Sequence, residues 1–290
     1  MHKIRNPEAL EETGSRARAD SPEGWAVEVA KARVVTSPQG ALDAAATGGV
    51  ALVTGGGKRL GAALCLELAR LGYAVGVVYH QDAEAARRTV DAIVRQGGMA
   101  RPFRLDLKDP DGADVLLDEA SAALGGVPGV LVNNAALFHP TRIDGGSWEE
   151  LGALFQVNLQ GPLWLALRAA RRMAAQGGGQ IINMGDIWGV RPLAGHAGYG
   201  ASKAGMIMAT QVLARDLAPA VRVNAIAPGA ILPPDAASGP EADAYRRMLT
   251  RTPLADQAGP EAVTAALRYL LAASYVTGEI LRVDGGRWLA

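Results

Sequence analysis

The sequence predicts an α/β fold in which a doubly wound parallel sheet forms a single domain. Short apolar segments of the kind that buried parallel strands have alternate with helical patterns from Val50 onward. A glycine-rich turn at residues 55–61 follows the first of these segments, and polar residues follow several of the others. Repeated strand–helix units with short connections imply right-handed crossovers and a ligand site at the carboxyl ends of the strands.

Composition disfavours several classes of protein. The chain has 290 residues with 29 basic and 29 acidic side chains, and without a basic block we expect neither nucleic acid nor a membrane as a partner. No apolar stretch approaches the ~18 residues of a membrane span, and no apolar export segment opens the chain. We therefore expect a soluble cytoplasmic protein, without a metal site, in which the single cysteine, Cys65, is buried.

The first 47 residues differ in amino-acid composition from the rest of the chain. They mix charge with proline, glycine and serine and then become alanine-rich. This composition predicts a flexible N-terminal extension, to which we assign no chemistry. The domain proper is expected at residues 48–290.

The elements of that domain are predicted in order from their periodicity and their end signals. Strands are expected at residues 50–54, 74–80, 100–107, 130–134, 180–184, 221–226 and 280–283. Helices are expected after the glycine turn, at 83–96, from Asp109 and Pro110 as N-cap and first-turn proline, from a Ser147–Glu150 capping box to Met173, from about 197, and at 260–273. The proline-rich stretch at about 231–250 is predicted to be a substrate lid.

The turn between the first strand and helix predicts a dinucleotide site. A strand, a glycine turn and a helix together present backbone N–H groups and a positive helix end to a pyrophosphate. Gly55 and Gly61 permit the close approach, and Lys58, Arg59 and Leu60 complete the turn.

The residues after the second strand favour NADP(H) over NAD(H). An NAD site would place a carboxylate there for the adenosine ribose, whereas this chain has His80 and Gln81, with Lys58 and Arg59 nearby in the turn. Asp82 counts against this prediction, since its charge would repel a 2′-phosphate. After the third strand, Asp106 and Leu107 suit either the adenine site or a helix-capping role.

Tyr199 and Lys203 are candidates for acid–base chemistry. They stand four residues apart in a predicted helix, so both project from one face. An ammonium beside a phenol favours the phenolate and lowers the pKa of the tyrosine, which fits it for proton transfer. The alternative is a solvated helix pair.

Taken together, the motifs resemble the short-chain dehydrogenase/reductase family from Val50 to the C-terminus. They are Thr54-Gly-x-x-x-x-Leu-Gly61, Asn133-Asn-Ala-Ala136, Asn158, Tyr199-x-x-x-Lys203, Pro228-Gly229 and Val276-Thr-Gly-Glu-x-x-x-Val-Asp-Gly-Gly286. The resemblance implies a Rossmann-like fold and a homotetramer formed through the helices after Ser147 and Tyr199.

The same resemblance implies a role for each matched residue. Tyr199 would be the proton donor or acceptor, Lys203 would bind the nicotinamide ribose, and Asn158 would hold a water that leads to the lysine. Asn134 and Ala135 would lie beside the cofactor. The backbone at Pro228, Gly229 and Ile231 would lie by the nicotinamide.

Two departures from the family pattern point to the substrate. The usual glycine before Leu60 is Arg59, and the usual serine thirteen residues before the tyrosine is Asp186. An ionised aspartate only accepts hydrogen bonds and would repel the oxyanion of a ketone, whereas a ring rich in N–H and NH₂ donors would bind to it.

These departures resemble the pteridine reductase and dihydromonapterin reductase branch of the family. That resemblance implies that Phe138 stacks a pterin against the nicotinamide, with Trp188 either lining the same pocket or packing. Arg59, Asp186 and Tyr199 would contact the substrate. We therefore expect NADPH-dependent reduction of a dihydropterin. The alternatives are a carbonyl reductase in which Asp186 is protonated and donates like the missing serine, or a cofactor-binding protein without catalysis.

Overall fold

A computed structural model of the chain describes residues 49–233, 239–255 and 258–290. The predicted N-terminal extension and residues 234–238 of the predicted lid lie outside these ranges. The strands are β1 (Val50–Thr54), β2 (Ala74–Tyr79), β3 (Ala100–Arg104), β4 (Pro128–Asn133), β5 (Gly179–Met184), β6 (Val221–Pro228) and β7 (Ile280–Val283). The helices are α1 (Arg59–Arg70), α2 (Ala83–Arg95), α3 (Gly112–Leu124), α4 (Trp148–Phe155), α5 (Gly161–Ala175), α6 (Ala197–Asp216), α7 (Pro240–Thr250) and α8 (Pro260–Ala272).

The seven strands form one parallel sheet in the order β3-β2-β1-β4-β5-β6-β7, which confirms the predicted doubly wound fold. From β1 the chain builds outward through β2 and β3, and it then returns to the other side of β1 to begin β4. The loops that follow β1 and β4 therefore leave in opposite directions. In open parallel sheets such a switch point opens a crevice at the carboxyl ends of the strands, where ligands bind.

Apolar side chains fill both faces of the sheet, as a sheet with helices on each side requires. On one face Leu52 and Leu131 pack in a cluster with residues of α3 and α5. On the other face Val53 and Val132 pack with residues of α1, α2 and α8. Cys65 of α1 is fully buried in this second cluster, as its spacing predicts.

The predicted boundaries of the third strand and of helix α3 are wrong. The third strand ends at Arg104 instead of 107. Helix α3 begins at Gly112 with Asp111 as its N-cap, so Asp109 and Pro110 precede the helix. The Asp109 carboxylate accepts a hydrogen bond of 3.0 Å from the backbone N–H of Asp111, and this Asx-type turn delays the start of the helix.

The region from Ser147 to Met173 is also not one helix. The capping box is present, with the Ser147 hydroxyl accepting from the N–H of Glu150 at 3.0 Å. Helix α4 then ends at Phe155, and a π-helical turn, Gln156–Gln160, separates it from α5. Such wide turns occur frequently at functional sites, and this one carries Asn158.

Two strand glycines give a test of how tightly the sheet is packed. A Cβ added to Gly76 of β2 would lie 2.2 Å from the fully buried Leu52 side chain, whereas one added to Gly129 of β4 would meet no atom within 4 Å. We expect Gly76→Ala to lower the free energy of unfolding by about 1–3 kcal/mol through overpacking. Gly129→Ala should leave it unchanged or raise it by about 0.5–1 kcal/mol. Urea unfolding midpoints measure both, and equal effects would contradict the packing described.

Candidate active site

Asp186 and Tyr199 meet at the carboxyl end of β5. Asp186 follows the strand and begins a short 3-10 turn, Ile187–Gly189, because its Oδ1 accepts a hydrogen bond of 2.9 Å from the N–H of Trp188. Its Oδ2 accepts a hydrogen bond of 2.5 Å from the hydroxyl of Tyr199, which stands in the first turn of α6. Both side chains are thereby oriented at the site.

Lys203 lies one helical turn after Tyr199 and is 4 % exposed. Its Nζ donates a hydrogen bond of 2.8 Å to the carbonyl oxygen of Met184, the last residue of β5, and lies 5.9 Å from the centroid of the Tyr199 ring. Burial lowers the pKa of Lys203 from its usual range to about 8. The amine is therefore close to titrating at neutral pH.

Burial also controls the other two titratable groups. It raises the pKa of the Asp186 carboxyl above its usual range. The pKa of the Tyr199 phenol lies far above its ordinary value, because burial and the adjacent Asp186 carboxylate both disfavour the phenolate. The net shift of the Tyr199 pKa is therefore upward, opposite to the lowering that its spacing from Lys203 predicts. Tyr199 accordingly keeps its proton and donates it to the hydrogen bond with Asp186.

Asn158 connects the loop after β4 to helix α6. The π-helical turn buries its side chain, whose Oδ1 accepts from the N–H of Leu137 at 2.7 Å and whose Nδ2 donates to the Leu137 carbonyl at 2.9 Å. The same Nδ2 donates to the hydroxyl of Ser202 at 3.1 Å, and that hydroxyl donates to the backbone of Tyr199. Asn158 thus holds Leu137 beside the turn of α6 that carries the candidate tyrosine.

Thr54 joins the two strands at the switch point. Its hydroxyl accepts hydrogen bonds from the N–H groups of Asn134 at 2.9 Å and Ala135 at 3.0 Å. The side-chain amide of Asn134 in turn donates to the carbonyl of Thr54 at 2.9 Å. Thr54 was not predicted as a site residue, although it is the first residue of the matched glycine motif.

A second group missed by the sequence reasoning is a buried polar ladder behind the site. The Asn133 amide donates to Asn183 Oδ1, and the Asn183 amide donates to the Thr210 hydroxyl, each at 2.9 Å. The ladder connects β4 and β5 to α6, the helix that carries Tyr199 and Lys203. Asn133 belongs to a matched motif, but Asn183 and Thr210 have no local sequence signal, and only the folded sheet brings the three together.

The glycine turn has little room for side chains. A Cβ on Gly61 would lie 2.1 Å from the carbonyl oxygen of Gly55, and Gly55 itself has a φ of 65°. Arg59 has a φ of 48°, in the left-handed region that favours glycine, so this backbone is strained. The Arg59 guanidinium donates a hydrogen bond of 2.8 Å to the carbonyl of Pro233, at the start of the predicted lid. Leu60 follows in the first turn of α1.

Beside this turn lies a cavity of about 290 Å³. Four residues predicted for the cofactor site line it: His80, Gln81, Asp106 and Leu107. Gly55 and Ala135 line it as well, so the cavity is continuous with the switch point.

Two basic side chains at this end of the site, His80 and Lys58, lie against carboxylates. His80 Nε2 lies 3.3 Å from an oxygen of Asp106, and Lys58 forms an ion pair of 2.5 Å with Asp82. The hydrogen bond from Lys58 lowers the pKa of Asp82, so this carboxylate is ionised and held against the lysine. The positive charge of Lys58 therefore offsets part of the negative charge of Asp82.

The turn after β6 lies at the same edge of the sheet. Gly229 donates a hydrogen bond of 2.9 Å to the carbonyl of Val283, and Ile231 donates one of 3.0 Å to the carbonyl of Gly229. A Cβ on Gly229 would lie 2.9 Å from the backbone of Asp284, so the turn after Pro228 packs closely on the end of β7. Ile231 is buried.

Phe138 is brought to the site by the loop after β4. Its ring is 60 % exposed, and its centroid lies 4.8 Å from that of Tyr199 with the ring planes at 89°. Trp188 donates its N–H to Asp186 and lines a separate cavity of about 470 Å³ together with Ile143, Arg191 and other residues. The described ring contacts therefore join Phe138, but not Trp188, to Tyr199.

In the part of the chain that the structure describes, no helix is long and apolar enough to cross a membrane. Within the same ranges, no three or more His, Cys, Asp or Glu side chains are grouped so that they could hold a metal ion.

Comparison with known proteins adds several similarities. A family model described as Enoyl-(Acyl carrier protein) reductase matches residues 57–287. The chain is 39 % identical over 253 residues to 3beta-hydroxysteroid dehydrogenase 1 of Eggerthella lenta, covering 83 % of this chain and 94 % of the relative. It is 35 % identical over 246 residues to a 3-oxoacyl-[acyl-carrier-protein] reductase of Synechocystis, covering 83 % and 98 %.

A solved structure gives a different substrate name. FolM alternative dihydrofolate reductase 1 from Brucella canis, solved in complex with NADP, matches with a TM-score of 0.77 at 30 % identity. The match covers 83 % of this chain and 94 % of that one.

Proposed function

Because the chain belongs to the short-chain dehydrogenase/reductase family, we propose that it reduces a dihydropterin to the tetrahydro form with NADPH. The hydrogen bond of 2.5 Å between Tyr199 and Asp186 is the observation that carries the proposal. It joins the candidate proton donor to a carboxylate, where a ketone reductase of this family would have a hydroxyl. The FolM structure, which is named as an alternative dihydrofolate reductase, supports the same substrate class.

The chain's own residues fit an NADP(H) cofactor. Gly55 and Gly61 leave the turn without side chains at two positions where a pyrophosphate would approach the backbone, and the 290 Å³ cavity suits the adenosine. His80 and Gln81 line that cavity where an NAD-preferring site would have a carboxylate. The FolM structure from Brucella canis was solved with NADP. Bound NADPH would supply the hydride.

The remaining chemistry belongs to the three buried titratable groups. Each oxygen of the Asp186 carboxylate has a lone pair beyond the one already used, so it can accept ring N–H or NH₂ donors and orient the substrate. Tyr199 holds its proton firmly and releases it to a ring nitrogen only as that nitrogen gains basicity. The Lys203 ammonium lies near the Tyr199 ring and stabilises the negative charge of the phenolate that forms when the tyrosine gives up its proton.

A second candidate function is reduction of a ketone. Burial raises the pKa of Asp186, and a protonated carboxyl donates a hydrogen bond to a carbonyl oxygen much as a serine does. Relatives at 35–39 % identity are named for a hydroxysteroid, an oxoacyl group on a carrier protein and a hydroxycyclohexanecarboxylate. These names favour a carbonyl substrate.

The proposal includes assembly as a homotetramer in the cytoplasm. Large apolar side chains are exposed on the helices named by the family resemblance: Trp148 on α4, Trp164 and Leu167 on α5, Met208 and Val212 on α6. Burying these faces against second copies would remove apolar surface from water.

The direct test follows NADPH oxidation by absorbance. We expect the purified protein to oxidise NADPH with dihydrobiopterin or dihydromonapterin, and to be slower with NADH and with a panel of small ketones. Tyr199→Phe should lower turnover by about 10²-fold or more, because the proton donor is lost, while NADPH binding stays intact. Unchanged turnover in that variant, or activity on ketones alone, would contradict the proposal.

The lowered pKa of Lys203 predicts a pH dependence of cofactor binding. Below about pH 8 the amine is protonated and able to bind the ribose hydroxyls as an ammonium; above it the charge is lost. The dissociation constant of NADPH should therefore rise above about pH 8, approaching about tenfold per pH unit. Fluorescence titration at pH 7–9.5 measures this. Lys203→Met should bind weakly at every pH, and a wild-type constant that stays flat would refute the role.

A further inference from the structure

Phe138 has a second ring partner besides Tyr199. The His196 imidazole stacks on the Phe138 ring with centroids 4.8 Å apart and planes inclined by 15°. Phe138, His196 and Tyr199 are called the aromatic cluster below. Within the cluster one face of Phe138 is covered by the imidazole, and Tyr199 meets the ring at right angles.

Backbone contacts hold the two loops of the cluster together. The N–H of Thr141, three residues after Phe138, donates to the Gly195 carbonyl at 2.7 Å. In return the Thr141 hydroxyl accepts from the N–H of Gly198 at 2.9 Å. The His196 carbonyl accepts the N–H of Gly200 at 2.9 Å, so His196 lies at the very start of α6. Its position relative to Tyr199 is therefore set by the helix.

The imidazole itself is held by a hydrogen bond. His196 Nδ1 lies 2.9 Å from the carbonyl oxygen of Ala194. Since a carbonyl oxygen only accepts, Nδ1 carries the proton and donates, and in the neutral ring the lone pair is on Nε2. This bond restrains rotation of the ring, so the imidazole is a fixed surface against which Phe138 packs.

An exposed phenylalanine without such a surface would sample several rotamers. Ordering it when a substrate binds would cost side-chain entropy and weaken binding. A stacked partner removes part of that cost in advance. Because His196 occupies one face of Phe138, a flat substrate ring is left with the opposite face.

We propose that His196 is a positioning residue for substrate binding. It holds the Phe138 ring perpendicular to the Tyr199 ring, and the site therefore selects for flat heteroaromatic substrates. The inference rests on the proposed pterin reduction and deepens it. His196 acts through Phe138 and takes no part in proton transfer. Its effect should therefore appear in the KM for the pterin and be absent from the affinity for NADPH.

A double-mutant cycle on Phe138 and His196 tests the proposal. His196→Ala should raise the KM for dihydrobiopterin by about 2- to 12-fold, the range expected for loss of one aromatic pair. His196→Phe, which keeps a stacking ring, should return KM to within about twofold of wild type. His139→Ala is the matched control, since His139 is the neighbouring histidine and its described contact is with Pro140.

The decisive result is the effect of His196→Ala in a Phe138→Ala background. If His196 acts through Phe138, the double variant should have the same KM as Phe138→Ala alone. An undiminished rise in KM in that background, or a KM for His196→Phe as high as for His196→Ala, would overturn the proposal. NADPH titration of every variant reports whether the fold and cofactor site are intact.

The outcome is separable from that of the proposed function. Failure of the wild-type protein to reduce any dihydropterin overturns the pterin assignment, and with it the selection of substrates by His196. In that case the contact between His196 and Phe138 is tested by the melting temperatures of wild type, His196→Ala, Phe138→Ala and the double variant. A double variant that loses less than the sum of the single losses supports the link, and strictly additive losses overturn it.

Discussion

The buried hydrogen bond from Tyr199 to Asp186 is the interaction on which the rest of the site depends. A carboxylate removed from water is costly unless donors surround it, and here a phenol and a backbone N–H supply two. The cost of that burial appears in the pKa values: the Asp186 and Tyr199 values rise, and that of Lys203 falls to about 8. Each shift disfavours the charged form of its group, as burial does.

The parallel sheet brings this cluster to the cofactor side. Asp186 follows β5, and the switch point lies between β1 and β4, with β4 directly beside β5. Thr54, Asn134 and Asn158 then hold the intervening loops through hydrogen bonds to their backbones. These contacts explain why the matched motifs contain polar residues whose side chains contact neither the Asp186 nor the Tyr199 side chain.

Much of this arrangement is predictable from the sequence because its signals are local. Several strands, such as β1 and β2, are short apolar runs, and the Ser147 capping box and the tyrosine–lysine spacing each lie within a few residues. The failures come from longer-range effects. The prediction of a lowered Tyr199 pKa considered the spacing to Lys203 alone, whereas burial and Asp186 raise that pKa in the folded protein.

His196 is another residue whose place in the site could not be predicted from the sequence. A lone histidine in a loop has no sequence signal, and its stacking on Phe138 depends on two loops held together by Thr141. The π-helical turn at Asn158 is a further case, because its sequence continues the periodicity of the flanking helices.

The proposed role of Asp186 is to make this a site for a ring with hydrogen-bond donors. The most direct measurement compares wild type with Asp186→Ser, using kcat/KM for dihydrobiopterin and for a small ketone. Loss of the hydrogen bonds to the charged carboxylate should lower kcat/KM for dihydrobiopterin by about 10- to 100-fold, while kcat/KM for the ketone should rise. Pterin activity that survives the substitution, or ketone activity that disappears with the aspartate, would contradict the account.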